Sequence, residues 1–290
     1  MRPRRSCLYM PGSNSRALEK ATQLPADVLI LDLEDAVLPD AKSLARDQVA
    51  DTVVSKPFGN REVVVRINGL ETPWGEADLA QTVEAGPDGI LLPKVESAEQ
   101  VQAIDAALNV AGAEDELGLW VMIETPMGVV NVGEIAAAAR GSRLSALVIG
   151  TNDLAKDMRV TPTADRRAFQ YALSATVTAG RAYGLSTLDG VCNAIGEEEV
   201  LEAQCQQGRE LGFDGKTLIH PSQLAAANRI FAPDPVALGE ARAIIEAFAL
   251  PENVHKGVIV VGGRMVERLH LEEAEQLVAL NDAIEALAVH

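Results

Sequence analysis

The sequence predicts a (β/α)8 barrel that carries a C-terminal helical extension. Short Val/Ile/Leu-rich runs alternate with amphipathic stretches from the start to about residue 221, and eight such runs stand out. Aromatic residues make up only 3% of a chain that is 48% hydrophobic, so the core must be built from Val, Ile, Leu and Ala. That composition suits parallel strands covered by helices better than a β-sandwich. A chain of 290 residues holds a barrel of about 250 residues with an extension to spare.

Taken in order, the strand candidates are Cys7–Met10, Asp27–Glu34, Glu62–Asn68, Gly89–Val95, Leu117–Glu124, Ala146–Asp153, Ser186–Cys192 and Asp214–Pro221. Runs such as VLILDLE and LGLWVMIE are continuously apolar until their acidic ends and fit strands buried on both faces. Helical spacing fills the gaps, near residues 13–23, 40–55, 75–85, 97–111, 131–140, 165–183 and 196–212, with an eighth helix at 222–231. An open doubly wound sheet competes with the barrel, but it would have fewer strands and a G-x-G-x-x-G turn after the first. The turn here is Pro11–Ser13, PGS. Beyond residue 231 the rhythm changes. Pro233 and Pro235 open a helix over Ala237–Ala249, Pro251–His255 links it to a β-type piece at Gly257–Val261, and Gly262–Gly263 lead into a last helix, Leu271–Ala288. The expected division is a barrel over 1–232 and an extension over 233–290, which covers either its own barrel mouth or that of a neighbouring subunit.

The formal net charge of −17, from 25 Lys+Arg and 42 Asp+Glu, argues against nucleic acid or an anionic membrane as partner. An anionic small molecule needs a locally basic place, such as the run Arg2, Arg4, Arg5. Cys7, Cys192 and Cys205 are too few and too scattered for a disulfide framework or a zinc cluster, and read as packed thiols. With no apolar run approaching 18 residues and no signal-peptide pattern, a cytoplasmic enzyme is expected.

In a barrel, chemistry gathers at the carboxyl ends of the strands. The polar groups there are Asp32, Glu34 and Asp35; Arg66 and Asn68; Lys94; Glu124; Asn152 and Asp153; Asp189; and His220. Charges that end apolar strands are costly unless paired or ligated. Glu124 and Asp153 suit a Mg²⁺ site completed by waters and substrate oxygens; alternatively they pair with Arg66 or Lys94. Arg66 either clamps a carboxylate or oxyanion, or forms an internal salt bridge to Glu34 or Asp35. Lys94 lies close to Glu96 and other nearby acids, which favours an ion pair over a Schiff base. His220, ahead of Pro221, reads as a structural hydrogen-bonding group, and Ser13 and Ser15 as caps of a helix whose free N–H groups favour phosphate.

An ordered set of motifs resembles a known family. The pieces are RRSCLYMPGSNSRALEKA (Arg4–Ala21), ADVLILDLEDAVLPDAK (Ala26–Lys42), VVVRING (Val63–Gly69), LLPKVES (Leu91–Ser97), MIETPMG (Met122–Gly128), IGTNDLA (Ile149–Ala155) and LGFDGKTLIHPSQ (Leu211–Gln223). Together they resemble the citrate lyase β-subunit-like family, which includes malyl-CoA, β-methylmalyl-CoA and citramalyl-CoA lyases. The resemblance implies a TIM barrel with Mg²⁺ on Glu124 and Asp153. It makes Arg66 the contact to the ketoacid and to the oxygen bearing developing charge, with residues flanking Asp153, Asn152 among them, holding the ketoacid. Tyr9 and Lys20 fall where the family contacts CoA. Where the family has an arginine just after PGS this chain has Asn14, with Arg16 two residues on. The resemblance also implies trimers or hexamers in which the C-terminal segment covers a neighbour's barrel mouth.

One departure stands in that segment. Family lyases carry a catalytic aspartate in a stretch that here reads GRMVE, so Glu267 takes its place. One extra methylene displaces the carboxylate by about an ångström, enough to cost roughly 10²-fold in rate. The resemblance implies reversible C–C cleavage of a 3-hydroxyacyl-CoA into acetyl-CoA and a 2-ketoacid, with Arg66 and Glu267 catalytic. Three alternatives accompany it. The chain is a citrate lyase β subunit working with an acyl-carrier protein, or a malyl-CoA thioesterase, or a ketoacid-binding protein whose catalysis Glu267 has weakened.

Overall fold

The structure, a computed structural model, describes residues 2–288. Eight parallel strands close into a barrel: β1 Ser6–Pro11, β2 Val28–Asp32, β3 Glu62–Arg66, β4 Gly89–Leu92, β5 Gly118–Ile123, β6 Leu144–Ile149, β7 Ser186–Asp189 and β8 Gly215–Leu218. Closure is made by β1 on β8, where Cys7 pairs with Thr217 and Leu8 with Leu218. The apolar runs are explained by a two-residue alternation with both faces buried. Val28, Ile30, Val64, Trp120, Met122 and Val148 fill the barrel axis. Leu29, Leu31, Val65, Ile90, Val121 and Leu147 face the helices.

The helices are α1 Ser15–Ala21, α2 Lys42–Ser55, α3 Gly75–Ala85, α4 Ala98–Val110, α5 Pro126–Val130, α6 Val132–Ala137, α7 Thr151–Met158, α8 Gln170–Ala182, α9 Glu198–Leu211 and α10 Leu224–Ile230. The first is capped by Asn14, whose side chain accepts from the Ala17 N–H, and not by Ser13 or Ser15. The single helix expected at 131–140 is α6 followed by a 3-10 turn, Ala138–Gly141, and the short α5 precedes it.

The sixth strand ends earlier than the sequence suggests. It stops at Ile149, and α7 starts at Thr151, with Gly150 alone between them. Asn152 and Asp153 therefore belong to the first turn of a helix rather than to a strand end. A further correction concerns the basic N-terminus. Arg4 is held by Glu62 at 2.7 Å and Arg5 by Asp27 at 2.8 Å, all at the amino ends of the strands and so at the opposite end from the mouth. These two guanidiniums are structural ion pairs, not an open anion site.

Residues 232–288, with residues 2–3, form a second compact unit, and Arg4–Phe231 forms the barrel. The second unit contains α11 Pro235–Ala249, β9 Val258–Val261, β10 Arg264–Glu267 and α12 Arg268–Ala288. The antiparallel β9–β10 pair was not foreseen beyond its first strand. Gly262 and Gly263, at φ 57 and 80, make the two-residue turn that reverses the chain, a conformation glycine adopts without steric cost. A small core of Phe248, Ile259 and Val266 holds the unit together. Among the described residues no helix is long and apolar enough to cross a membrane.

Candidate active site

At the carboxyl ends of the strands lies a cavity of about 360 Å³ whose walls include Tyr9, Asp32, Arg66, Glu124, Asn152 and Asp153. Side-chain parity decides which strand-end groups reach it. Val64 points to the axis, so Arg66, two residues on, does as well; Trp120 and Met122 place Glu124 in the same way. Asp189 follows inward-facing Leu188 and points the other way. It is buried in the helix layer with Arg166 at 2.7 Å and Lys216 at 2.9 Å, so it is not part of the mouth. Burial alone would push its carboxyl up, but Lys216 and Arg166 hold it below the usual carboxylate range. His220 caps the short helix Pro221–Gln223, with Nδ1 accepting from the Ser222 N–H and lying 2.8 Å from its hydroxyl, the structural role expected.

Arg66 is buried and heavily committed. Asp32, its register partner on β2, takes Nε at 2.7 Å and Nη2 at 2.5 Å, and Glu34 takes Nη1 at 2.9 Å. The Tyr9 ring lies 4.8 Å from the guanidinium carbon. The salt bridge expected to Glu34 or Asp35 is thus made to Glu34, and Asp32 is a partner the sequence did not nominate. With Nη1 also directed at Met122 Sδ, one Nη2 N–H is left uncommitted. The two-pronged face that would clamp a carboxylate is already used by Asp32. Arg66 stays charged because Asp32 and Glu34 more than offset the burial that would lower its pKa.

Lys94 makes the ion pair expected of it, to Glu34 and Asp153 rather than to Glu96. Its ammonium bonds Glu34 and lies 3.4 Å from Asp153 Oδ2, and its backbone N–H donates to Glu124 Oε1 at 2.8 Å. Glu124 is 3% exposed, and burial pushes its carboxyl up to about 7 despite that N–H and the neighbouring ammonium. Gly150 is needed beside it, since a Cβ there would lie 2.5 Å from Glu124 Oε2. Asn152 and Asn193 exchange side-chain amide hydrogen bonds across the rim. Tyr9 lines the cavity with its hydroxyl toward Met122 Sδ, whereas Arg16 and Lys20 are exposed on α1. Neither Arg16 nor Lys20 lines the cavity that Tyr9 lines. Glu267 ends β10 in the second unit, where its N–H donates to His270 Nδ1 at 3.0 Å.

The donor set suits a hard divalent cation. Asp32, Glu34, Asp35, Glu124 and Asp153 gather around the mouth with Arg66, Lys94 and, behind Glu34, Lys42, and Glu124 is a buried carboxylate short of counter-charge. Among the described residues no group of three or more His, Cys, Asp or Glu forms a closed metal cage. A cation resting on Glu124 and Asp153 would take its other oxygens from water and substrate, as Mg²⁺ commonly does.

Comparison with known proteins corrects the reaction expected from the sequence. A (3S)-malyl-CoA thioesterase of Cereibacter sphaeroides is 48% identical over 284 residues, 98% of this chain and 96% of the relative. The L-malyl-CoA/β-methylmalyl-CoA lyase of Rhodobacter capsulatus is 35% identical, covering 93% of this chain and 92% of that one. The expectation of a carbon–carbon lyase is overturned by this difference, since relatives named thioesterases are 46–48% identical over nearly the whole chain and the lyase is 35% identical. Among solved structures, the CitE protein of Mycobacterium tuberculosis in complex with magnesium, acetoacetate and coenzyme A superposes with a TM-score of 0.73 at 28% identity, covering 96% of this chain and 97% of that one. The model of the HpcH/HpaI aldolase/citrate lyase enzymes matches residues 5–221, and with these relatives it shows that the chain belongs to the HpcH/HpaI aldolase/citrate lyase family.

Proposed function

We propose that the protein hydrolyses the thioester of a malyl-type acyl-CoA, with (3S)-malyl-CoA as substrate, releasing malate and free CoA. The observation that carries this reading is the near-full-length similarity to (3S)-malyl-CoA thioesterases, 46–48% identical over 98% of the chain. Glu124 and Asp153 are the residues that would hold Mg²⁺. When bound, the ion would neutralise the malyl carboxylate and orient it.

The chain's own groups then have distinct tasks. The uncommitted Nη2 N–H of Arg66 donates to an oxygen that gains charge as water adds to the thioester carbonyl. Asp32 and Tyr9 hold that guanidinium in place, on opposite sides of its bonding: Asp32 takes its edge and Tyr9 its face. Asn152, fixed by Asn193, borders the malyl end of the cavity. Glu267, presented by a neighbouring copy in a homotrimer or hexamer, takes a proton from the attacking water. A new C–O bond forms, the C–S bond breaks, and the CoA thiolate leaves to be protonated. Arg16 and Lys20, exposed on α1, are proposed to meet the CoA phosphates.

The test is direct. Incubation with Mg²⁺ and (3S)-malyl-CoA should release free thiol and malate in equal amounts, read with a thiol reagent and by mass spectrometry. Appearance of glyoxylate and acetyl-CoA in place of malate and CoA would refute the reading.

A further inference from the structure

Lys94 is joined to both carboxylates proposed for the cation, by two different parts of itself. Its backbone N–H holds Glu124 Oε1 at 2.8 Å, while its ammonium lies 3.4 Å from Asp153 Oδ2 and bonds Glu34 Oε1. The first link depends on an unusual backbone. Lys94 follows Pro93 at the end of β4 with φ 53, in the left-handed region that side-chain-bearing residues seldom occupy. Such a conformation persists where the surroundings fix it, typically at functional sites.

The second link is asymmetric. Glu34 is anchored on its other side by Arg66 Nη1 at 2.9 Å and is 10% exposed, so its bond to the ammonium is held from both ends. Asp153 is 24% exposed, sits at the longer distance, and has no other ion-pair partner among the described residues, while the Lys94 side chain is itself 41% exposed. The ammonium can therefore leave Asp153 without leaving Glu34.

We propose that the Lys94 ammonium is the resident counter-ion of Asp153, that an incoming divalent cation displaces it from Asp153 alone, and that this makes cation binding depend on the carboxylate of the malyl group. The inference rests on the Mg²⁺ reading above and adds to it an order of assembly. A doubly charged ion near a retained ammonium is repelled by it, and the effect is strong in a partly desolvated mouth. The malyl carboxylate supplies negative charge at the same place and offsets that repulsion. Cation and substrate consequently bind as a coupled pair, and the coupling is reciprocal. Lys94 is a positioning residue in this scheme, since it acts through Glu124 and Asp153.

The probe is Mn²⁺, titrated calorimetrically into the full-length protein with and without saturating (S)-malate. In the wild type, malate should tighten Mn²⁺ binding by about tenfold or more, a size typical of coupled sites. In Lys94→Met, Mn²⁺ alone should bind about tenfold tighter than to wild type, and the enhancement by malate should largely vanish. Lys94→Arg should restore both wild-type values. A purely structural role for Lys94 gives the opposite sign, weaker Mn²⁺ binding in Lys94→Met. The proposal fails if folded Lys94→Met binds Mn²⁺ no tighter than wild type. It fails equally if wild-type binding is indifferent to malate, a measurement that needs no variant to fold. Absence of any Mn²⁺ binding to wild type with malate present would remove the metal reading itself, which is a separable result.

Discussion

A carboxyl group held at 3% exposure with a pKa near 7 makes the site's residue-scale behaviour depend on pH. The sign follows from proton linkage. The folded chain keeps the Glu124 proton to a higher pH than the unfolded chain does, so metal-free stability is lost as pH rises from about 4.5 to about 7. A displacement of that size corresponds to on the order of 3 kcal/mol. Glu124→Gln should therefore raise the Tm of the metal-free protein at pH 8 by several degrees, leave it nearly unchanged at pH 4, and abolish Mg²⁺-dependent turnover. Thermal melts in chelator at the two pH values check the first part. A wild-type-like rate with Mg²⁺ would contradict the ligand assignment. Gly150 tests the same carboxylate sterically. A Cβ 2.5 Å from Glu124 Oε2 must push it aside, so Gly150→Ala should lower kcat/KM at least tenfold, by roughly the cost of a misplaced catalytic group, while the circular dichroism spectrum stays native.

At the scale of elements, the layer between β7, β8 and the surrounding helices contains a buried charge cluster with no part in the mouth. Asp189 is the shared ion-pair partner of Arg166 and Lys216, and Asp189 and Lys216 are fully buried. Asp189→Asn leaves two cations with one lost partner, and should destabilise the protein by about 3–5 kcal/mol, the usual effect of breaking a buried pair from one side. Denaturant midpoints would show it, and Mn²⁺ affinity of the folded fraction should not change. The same residue shows what the sequence could and could not convey. Eight apolar runs at regular spacing made the barrel legible, because every one of its strands is buried on both faces. Strand-end position alone did not distinguish Asp189 from Glu124; the alternation set by Leu188 and Met122 does. The start of α7, Thr151–Asp153, is absorbed into the expected strand because its polar residues follow VIG without a cap residue, and Gly150 supplies no side-chain cap bond. The bonds from Asp32 to Arg66 and from Lys94 to Asp153 join residues 34 and 59 positions apart, a closure that only barrel register fixes.

At the scale of the whole molecule, the proposed water-activating carboxylate and the proposed metal ligands lie in different compact units, Glu267 in the one that begins at Ala232 and Glu124 in the barrel. The outer positions of the β9–β10 hairpin leave Val260 73% and Met265 70% exposed, on the element that ends at Glu267. Apolar groups exposed beside a proposed catalytic residue are what an extension seated on another copy would present. If Glu267 serves a neighbouring barrel, then Glu267→Gln and Glu124→Gln damage different halves of a shared site. Each variant alone should have at most about 1% of wild-type hydrolysis, a loss in the range of removed proton transfer or metal catalysis. Mixed, partly unfolded and refolded together, the two should regain activity through assemblies that pair an intact Glu124 with an intact Glu267 from different chains. Thiol release measured before and after co-refolding reads this out, with each variant refolded alone as the reference. No recovery, together with size-exclusion elution as a monomer, would place Glu267 in service of its own barrel.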